Sequence, residues 1–121
     1  VRVYIGGSFA SRGRLRAERD RLRGMGYTVV ASWIDEPGES WPDVVRSRAQ
    51  AARDMEEMQT ADLFIFDTLE PSTFGNNFVE WGIALTRSGP KYLVGEPLNH
   101  YHLLLSRGFD SWEELAQWLL R

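Results

Sequence analysis

The chain contains no cysteine, so neither a disulfide framework nor a thiolate metal site is open to it. Histidine is scarce, with only His100 and His102 in 121 residues. Their i, i+2 spacing does not put them on one helical face, and no carboxylate cluster accompanies them. No metal and no cofactor is assigned on these grounds. A basic excess is also missing, since 14 Lys and Arg stand against 17 Asp and Glu for a net charge of −3. That balance speaks against a duplex nucleic-acid partner, although a few local arginines could still hold a small phosphorylated ligand. No apolar run approaches the roughly 20 residues that span a bilayer, and no membrane partner is expected. Residues 1–5 read directly as structure, with no signal-peptide pattern before them, so the expected location is cytoplasmic. Repeats and low-complexity stretches are absent as well.

What is present is ordinary for a globular protein, with 43% hydrophobic and 26% charged residues. A length of 121 fits one domain over residues 1–121 with a single modest core. Residues 1–5 (VRVYI) form a β-rich run that stops at Gly6-Gly7, a strand followed by a turn. Leu15, Leu22 and Met25 recur at helical spacing and predict a helix over 12–25. Residues 27–33 (YTVVASW) predict a second strand, and 35–42 (DEPGESWP) a loop. A second helix is expected over 43–58, apolar at Val44, Val45, Ala49, Ala52, Met55 and Met58.

Residues 61–68 (ADLFIFDT) form a near-continuous apolar strand, of the kind buried on both faces in a parallel sheet. A third helix over 78–87, a strand over 91–95, a short helix over 98–106 and an edge strand over 107–109 follow. Ser111 and Glu114 stand at capping-box spacing before a stripe of Trp112, Leu115, Trp118 and Leu119, so a helix closes the chain. Alternating strands and helices predict an α/β three-layer sandwich. It would be doubly wound, flavodoxin- or Rossmann-like, with a mostly parallel sheet of four or five strands. Such folds bind ligands beyond the carboxyl ends of their strands, which selects the segments 6–11, 33–41 and 67–80.

Those segments hold the residues that could carry chemistry. Gly6-Gly7-Ser8 lies between a strand and a helix. It either lets a ligand approach the backbone at a helix N-terminus or serves as a tight turn that needs glycine. Glu80 sits between Val79 and Trp81 in GNNFVEWGIAL. There it either favours the helix dipole from the first turn or acts as a nucleophile or base at the ligand edge. Asp54 lies on an amphipathic helix where most charges are solvated. Asp67, at a strand's carboxyl end, could face the site, while Asp62 caps the strand's entry. Tyr4, inside the first strand, is by default a core aromatic. Trp33 and Trp41 flank the loop after the second strand, where a base could stack, and Trp112 and Trp118 pack the last helix.

Taken in order, these segments resemble the nucleoside 2-deoxyribosyltransferase-like family, which includes nucleoside 5′-monophosphate N-glycosidases. The opening YIGGSF of residues 4–9, the RDM of 53–55 with the ADL of 61–63, and VEWGIAL of 79–85 carry the likeness. The closing FDSWEE of 109–114 adds to it, and the match spans nearly the whole chain. The resemblance implies cleavage or transfer at the N-glycosidic bond of a (deoxy)nucleoside or nucleoside 5′-monophosphate through a covalent ribosyl intermediate on Glu80. Tyr4 would orient that carboxylate, and Asp54 would contact the base and protonate it as it leaves. Gly6, Gly7, Ser8 and Phe9 would line the sugar or base site, with Trp33 beside them. Family members place an acidic or hydroxyl residue six positions before the nucleophile, for the sugar's 5′ end. Here that position is Phe74, which leaves the 5′ group open. Ser72, Thr73, Gly75, Asn76 and Asn77 are the nearby candidates, and Ser8, Ser11, Arg12 and Arg14 could hold a phosphate. Members of the family are usually homo-oligomers whose neighbours complete each site, so at least a dimer is implied. The alternative is a nucleotide-binding sensor or regulatory module that kept the fold without turnover. A protein-interaction domain is a third reading, resting only on the five tryptophans.

Overall fold

Strands and helices alternate along the chain in the order that its apolar periodicity demands. The computed structural model describes residues 1–70 and 75–121. Its strands are β1 (Arg2–Gly6), β2 (Thr28–Val29), β3 (Leu63–Asp67), β4 (Lys91–Val94) and β5 (Arg107–Phe109). Its helices are α1 (Arg12–Gly24), α2 (Val44–Thr60), α3 (Asn76–Leu85) and α4 (Trp112–Leu119). Short 3₁₀ turns cover Phe9–Ser11, Ser32–Asp35 and His100–Leu104.

The strands of the described residues lie in the order β2-β1-β3-β4-β5, and every pairing is parallel. This is the doubly wound order whose ligand crevice opens where the chain departs in opposite directions from β1 and β3. Register brings Tyr4 beside Phe64 and Gly6 beside Phe66. β3 is buried at every residue, as a central parallel strand covered on both faces must be. An ion pair between Arg21 and Glu113 at 2.9 Å ties α1 to α4, while α2 and α3 flank a common groove on the other side. At the heart of that second side the Trp81 indole meets Phe66 edge-on at 5.2 Å and His102 at 5.1 Å. Buried His102 stays neutral, its pKa lowered by desolvation, and its Nδ1 accepts the Leu98 N–H at 2.9 Å. α4 begins as its capping spacing requires, with the Ser111 hydroxyl accepting the Glu114 N–H at 3.2 Å.

Three expectations are corrected. β2 covers only Thr28–Val29, because the chain turns at Ala31 into the 3₁₀ segment that carries Trp33 inward. There the indole N–H donates to the Ile5 carbonyl at 2.7 Å, so Trp33 is anchored under β1 and does not extend a strand. α2 is helical over the expected stretch, but of its apolar stripe only Met58 is buried; Val44, Val45 and Met55 are exposed. α3 starts at Asn76, on the left-handed turn of Gly75 (φ 73°), two residues before the expected start.

Candidate active site

The floor of the crevice is made by the end of β1. A side chain at Gly6 would run into the Phe66 ring, and one at Gly7 would stand 3.1 Å from Leu15 Cδ1 and 3.5 Å from Asp67 Cβ. Glycine is therefore demanded here by the packing of β1 on β3 and α1. Ser8 and Ser11 are buried just beyond, and the Ser11 hydroxyl has no hydrogen-bond partner.

Above this floor the chain brings Tyr4, Asp54 and Glu80 together from three elements. Tyr4, on β1, is fully buried, and its hydroxyl donates to Glu80 Oε1 at 2.6 Å. Burial first, then the charges of Glu80 and Asp54, hold the phenol pKa well above its ordinary value, so the hydroxyl remains a proton donor. Glu80 projects from the second turn of α3, since the helix already begins at Asn76 and has no acidic residue in its first turn. The N-terminal dipole, which acts within the first turn, is thus not what Glu80 serves. Desolvation, followed by the nearby Asp54 charge, raises its carboxyl to about 8, against the lowering effect of the Tyr4 hydrogen bond. Asp54, from α2, is raised to about 7 by desolvation, with a hydrogen bond from Gln50 opposing and the Glu57 charge reinforcing the shift. Two carboxyls whose ionisation is opposed by burial in one crevice make this the candidate site.

Glu80 and Asp54 form the seam between two cavities. One, of about 80 Å³, is a polar cleft bounded by Gly7, Phe9, Trp33, Glu36 and Asn76. The other, of about 520 Å³, runs between α2 and α3 past Trp41, Met55, Met58, Val79 and Ile83. The sequence-predicted Gly7, Phe9, Trp33 and Asn76 therefore face the smaller cleft. Gly6 lies in its floor, Gly75 caps α3, and Asn77 is buried with its Oδ1 unpaired. Ser72, Thr73 and Phe74 lie outside the described residues.

Three candidate residues, Asp67, Arg14 and Arg12, are engaged by other partners. Asp67 turns away from the crevice and is sealed on the α1–α4 side. It accepts two hydrogen bonds from Arg14 at 2.6 and 3.1 Å, one from the Trp112 indole at 2.7 Å and one from the Leu69 N–H at 2.9 Å. Arg14, also bonded to Glu70, is accordingly engaged and does not present a phosphate cradle. Arg12 stacks over the Phe9 ring and donates to the carbonyls of Phe9 and Glu36. Asp62 accepts the Arg2 N–H at 2.9 Å at the start of β3. The sequence reading passed over Gln50, a buried amide one turn before Asp54 that donates to Asp54 Oδ1 at 2.6 Å. The i, i+4 spacing on one helix face was the available signal. Among the described residues no group of three or more His, Asp or Glu is placed to hold a metal ion, and no helix is long and apolar enough to cross a membrane.

No family model and no curated protein matches the chain. Solved structures do. The 2-deoxyribosyltransferase of Bacillus psychrosaccharolyticus superposes with a TM-score of 0.74 at 19% identity, covering 95% of this chain and 90% of that one. A CMP N-glycosidase of Clostridium botulinum superposes with a TM-score of 0.64 at 18% identity over 100% of both chains. The chain thus has the α/β fold that a 2-deoxyribosyltransferase and a CMP N-glycosidase share, over nearly the full length of each.

Proposed function

We propose that this protein is an enzyme that cleaves or exchanges the N-glycosidic bond of a nucleoside or nucleoside 5′-monophosphate, with Glu80 as its nucleophile. The observation that carries the reading is the buried 2.6 Å hydrogen bond from Tyr4 to Glu80, set beside Asp54 at the seam of two cavities. A bare structural carboxylate has no reason to be desolvated and aimed at open space. The fold shared with two proteins of N-glycosidic chemistry and the residue pattern of YIGGSF and VEWGIAL support it.

The chemistry follows from the groups present. Glu80, ionised, attacks C1′ of the sugar as the C1′–N bond breaks through an oxocarbenium-like centre. The bonding pair leaves with the base, which takes a proton from Asp54. Tyr4 holds the attacking carboxylate by its free hydroxyl proton and keeps one oxygen, Oε2, for the sugar. Asp54, now a carboxylate, then accepts a proton from water or from an incoming base. That nucleophile displaces Glu80 from C1′, and configuration is retained after two inversions. Water gives hydrolysis and a second base gives transfer. The smaller cleft, with Gly7, Phe9, Trp33 and Asn76 on its walls, is the proposed sugar and base site.

The same reading makes the protein a homo-oligomer. Trp41, just before α2, Met55 on α2 and Val79 on α3 are exposed apolar residues lining the larger groove that also holds Asp54 and Glu80, and Val44 and Val45 on α2 are exposed as well. A second copy seated there would bury this surface and close the open side of the site.

The test is the intact mass of the protein after incubation with nucleosides and 5′-nucleotides, including slow 2′-fluoro analogues. A sugar-sized adduct with release of free base is expected, and Glu80→Ala should abolish it. Ligand-induced thermal stabilisation without adduct or released base in any member of the panel would instead make the chain a binding module.

A further inference from the structure

Asp54 cannot be understood apart from the side chains that hold it. Gln50 lies one turn earlier on α2 and is nine-tenths buried. Its Nε2 donates to Asp54 Oδ1 at 2.6 Å, while its Oε1 accepts from Arg53 Nη2 at 2.6 Å. The same guanidinium nitrogen is paired with Glu36 Oε1. A guanidinium only donates, whereas a carboxyl that still holds its proton can donate or accept. It is therefore the Arg53 end of the order Glu36–Arg53–Gln50–Asp54 that fixes the amide. An amide flipped by half a turn would set its NH₂ against Arg53, a repulsive contact, so the carbonyl stays on Arg53 and the NH₂ on Asp54.

We infer that Gln50 is a positioning residue that makes Asp54 a directed acid: it occupies Oδ1 as an acceptor, so that the transferable proton resides on Oδ2, and it stabilises the carboxylate left when that proton departs. This rests on the acid role proposed above. Among the described residues no donor reaches Oδ2, and Asp54 lines both cavities, so the oxygen left free is the one available to a departing base. As the proton moves to the base, charge grows on Asp54. A hydrogen bond to an ionised acceptor is about twice as strong as one to a neutral acceptor. The Gln50 bond is therefore tighter late in the reaction than at its start, which is the property that raises kcat without tightening substrate binding. Arg53 and Glu36 act one step further out, by preventing the amide flip.

The groups that face Asp54 are Glu80 from α3, Tyr4 from β1, Glu36 from the loop after β2, and Arg53 and Glu57 from its own helix. Glu80, Tyr4, Glu36 and Glu57 are not bonded to Gln50, and Arg53 keeps its pairing with Glu36 when Gln50 is changed, so a shift in Asp54 titration reports the amide. Two variants test it. Gln50→Met removes the donor at nearly constant volume. Gln50→Glu keeps a partner for Arg53 but offers Asp54 an acceptor. The first readout is the titration of the Asp54 carboxyl carbon by NMR, which needs no turnover. Its midpoint should rise by about one pH unit in Gln50→Met, and further in Gln50→Glu. The second is the pH profile of base release: kcat should fall about tenfold in Gln50→Met with KM nearly unchanged, and the profile as a whole should move to higher pH. A carboxyl that titrates in both variants as in the wild type overturns the inference, whatever happens to the melting temperature. If the wild type releases no base from any nucleoside or nucleotide, the functional reading fails, and the carboxyl titration still decides whether Gln50 sets the acidity of Asp54.

Discussion

Tyr4 and Glu80 are 76 positions apart in the chain and 2.6 Å apart in the fold. The bond holds a strand to a helix across the crevice, and it also decides how available the Glu80 charge is, since it is the interaction that opposes desolvation of the carboxyl. Tyr4→Phe should leave the fold intact, because the ring stays packed near Phe66. It should lower kcat/KM by about 10- to 100-fold and, by raising Glu80 further above Asp54, push the alkaline limb of the pH profile upward. Glu80→Gln, which cannot form an acyl-type sugar ester, should lose on the order of a thousandfold or more. Steady-state release of free base measures both.

The pair of carboxyls predicts a narrow pH optimum. Below the first macroscopic pKa both are protonated and Glu80 cannot attack; above the second both are ionised and no acid remains. With Asp54 at about 7 and Glu80 at about 8, the singly protonated pair is most abundant between those values; the reacting form, with Glu80 ionised and Asp54 protonated, is its minor tautomer and follows the same pH dependence. A bell-shaped kcat/KM profile centred there is expected. A flat profile from about pH 5 to pH 9 would remove both residues from the chemistry.

The same shifts make stability depend on pH with a definite sign. Folding raises Glu80 from 4.5 to about 8 and Asp54 from 3.8 to about 7. Through that interval the native state holds more protons than the unfolded chain, so stability falls as pH rises. The contribution is complete below the unfolded values and lost once the folded values are passed. Thermal melts should therefore show a midpoint that declines from about pH 5 to about pH 9. Glu80→Gln should flatten that decline and melt higher than the wild type at the alkaline end.

Arg14 and Asp67 predict a purely structural effect. Asp67 is wholly buried, and among the described residues Arg14 is its only cationic partner. Arg14→Met would leave a buried carboxylate with two neutral donors, the Trp112 indole and the Leu69 N–H. A loss of about 2–3 kcal/mol is expected, below the usual cost of breaking a buried pair because Arg14 is itself a third exposed. Urea denaturation measures it. Per-molecule activity at low temperature should be unchanged, since neither residue faces the crevice.

The apolar face of α2 predicts assembly. Met55→Glu places a charge amid Trp41, Val79 and Ile83 on the wall of the groove. Sedimentation should then report a smaller species than the wild type, with activity falling in parallel. A wild type that sediments as a monomer at all concentrations would dissociate this surface from self-association.

How much of this was legible beforehand varied with the physics involved. β3 announced itself because five consecutive buried residues, LFIFD, can only be satisfied in the middle of a sheet. The Ser111–Glu114 cap was legible because it is a contact between near neighbours. The truncation of β2 was not, since nothing local in YTVVASW says that the Trp33 indole will seek the Ile5 carbonyl 28 positions away. Asp67 was misdirected for a similar reason. Its position at the end of β3 is a matter of sequence, but which face it takes is decided by Arg14 and Trp112, 53 and 45 residues off. The apolar spacing of α2 was real, yet periodicity describes one face without saying what will cover it. Gln50 went unnoticed because a single glutamine on a helix carries no motif; only its burial beside Asp54 gives it meaning.

The contrast between the two sides of the crevice has an evolutionary reading. The side made by Gly6 and Gly7 is locked, because any added atom there collides with Phe66 or crowds Leu15. A lineage exploring new substrates, or a library built to imitate one, gains nothing by sampling those sites. The opposite side is the loop of residues 37–42, where Glu39 and Trp41 are exposed and Gly38 has open space around it. On the proposed function, substitutions there would meet a ligand in the smaller cleft before they meet the core. If the proposed reaction holds, selectivity could change along one short loop while Tyr4, Asp54 and Glu80 stay fixed, without any change to the packed floor of the crevice.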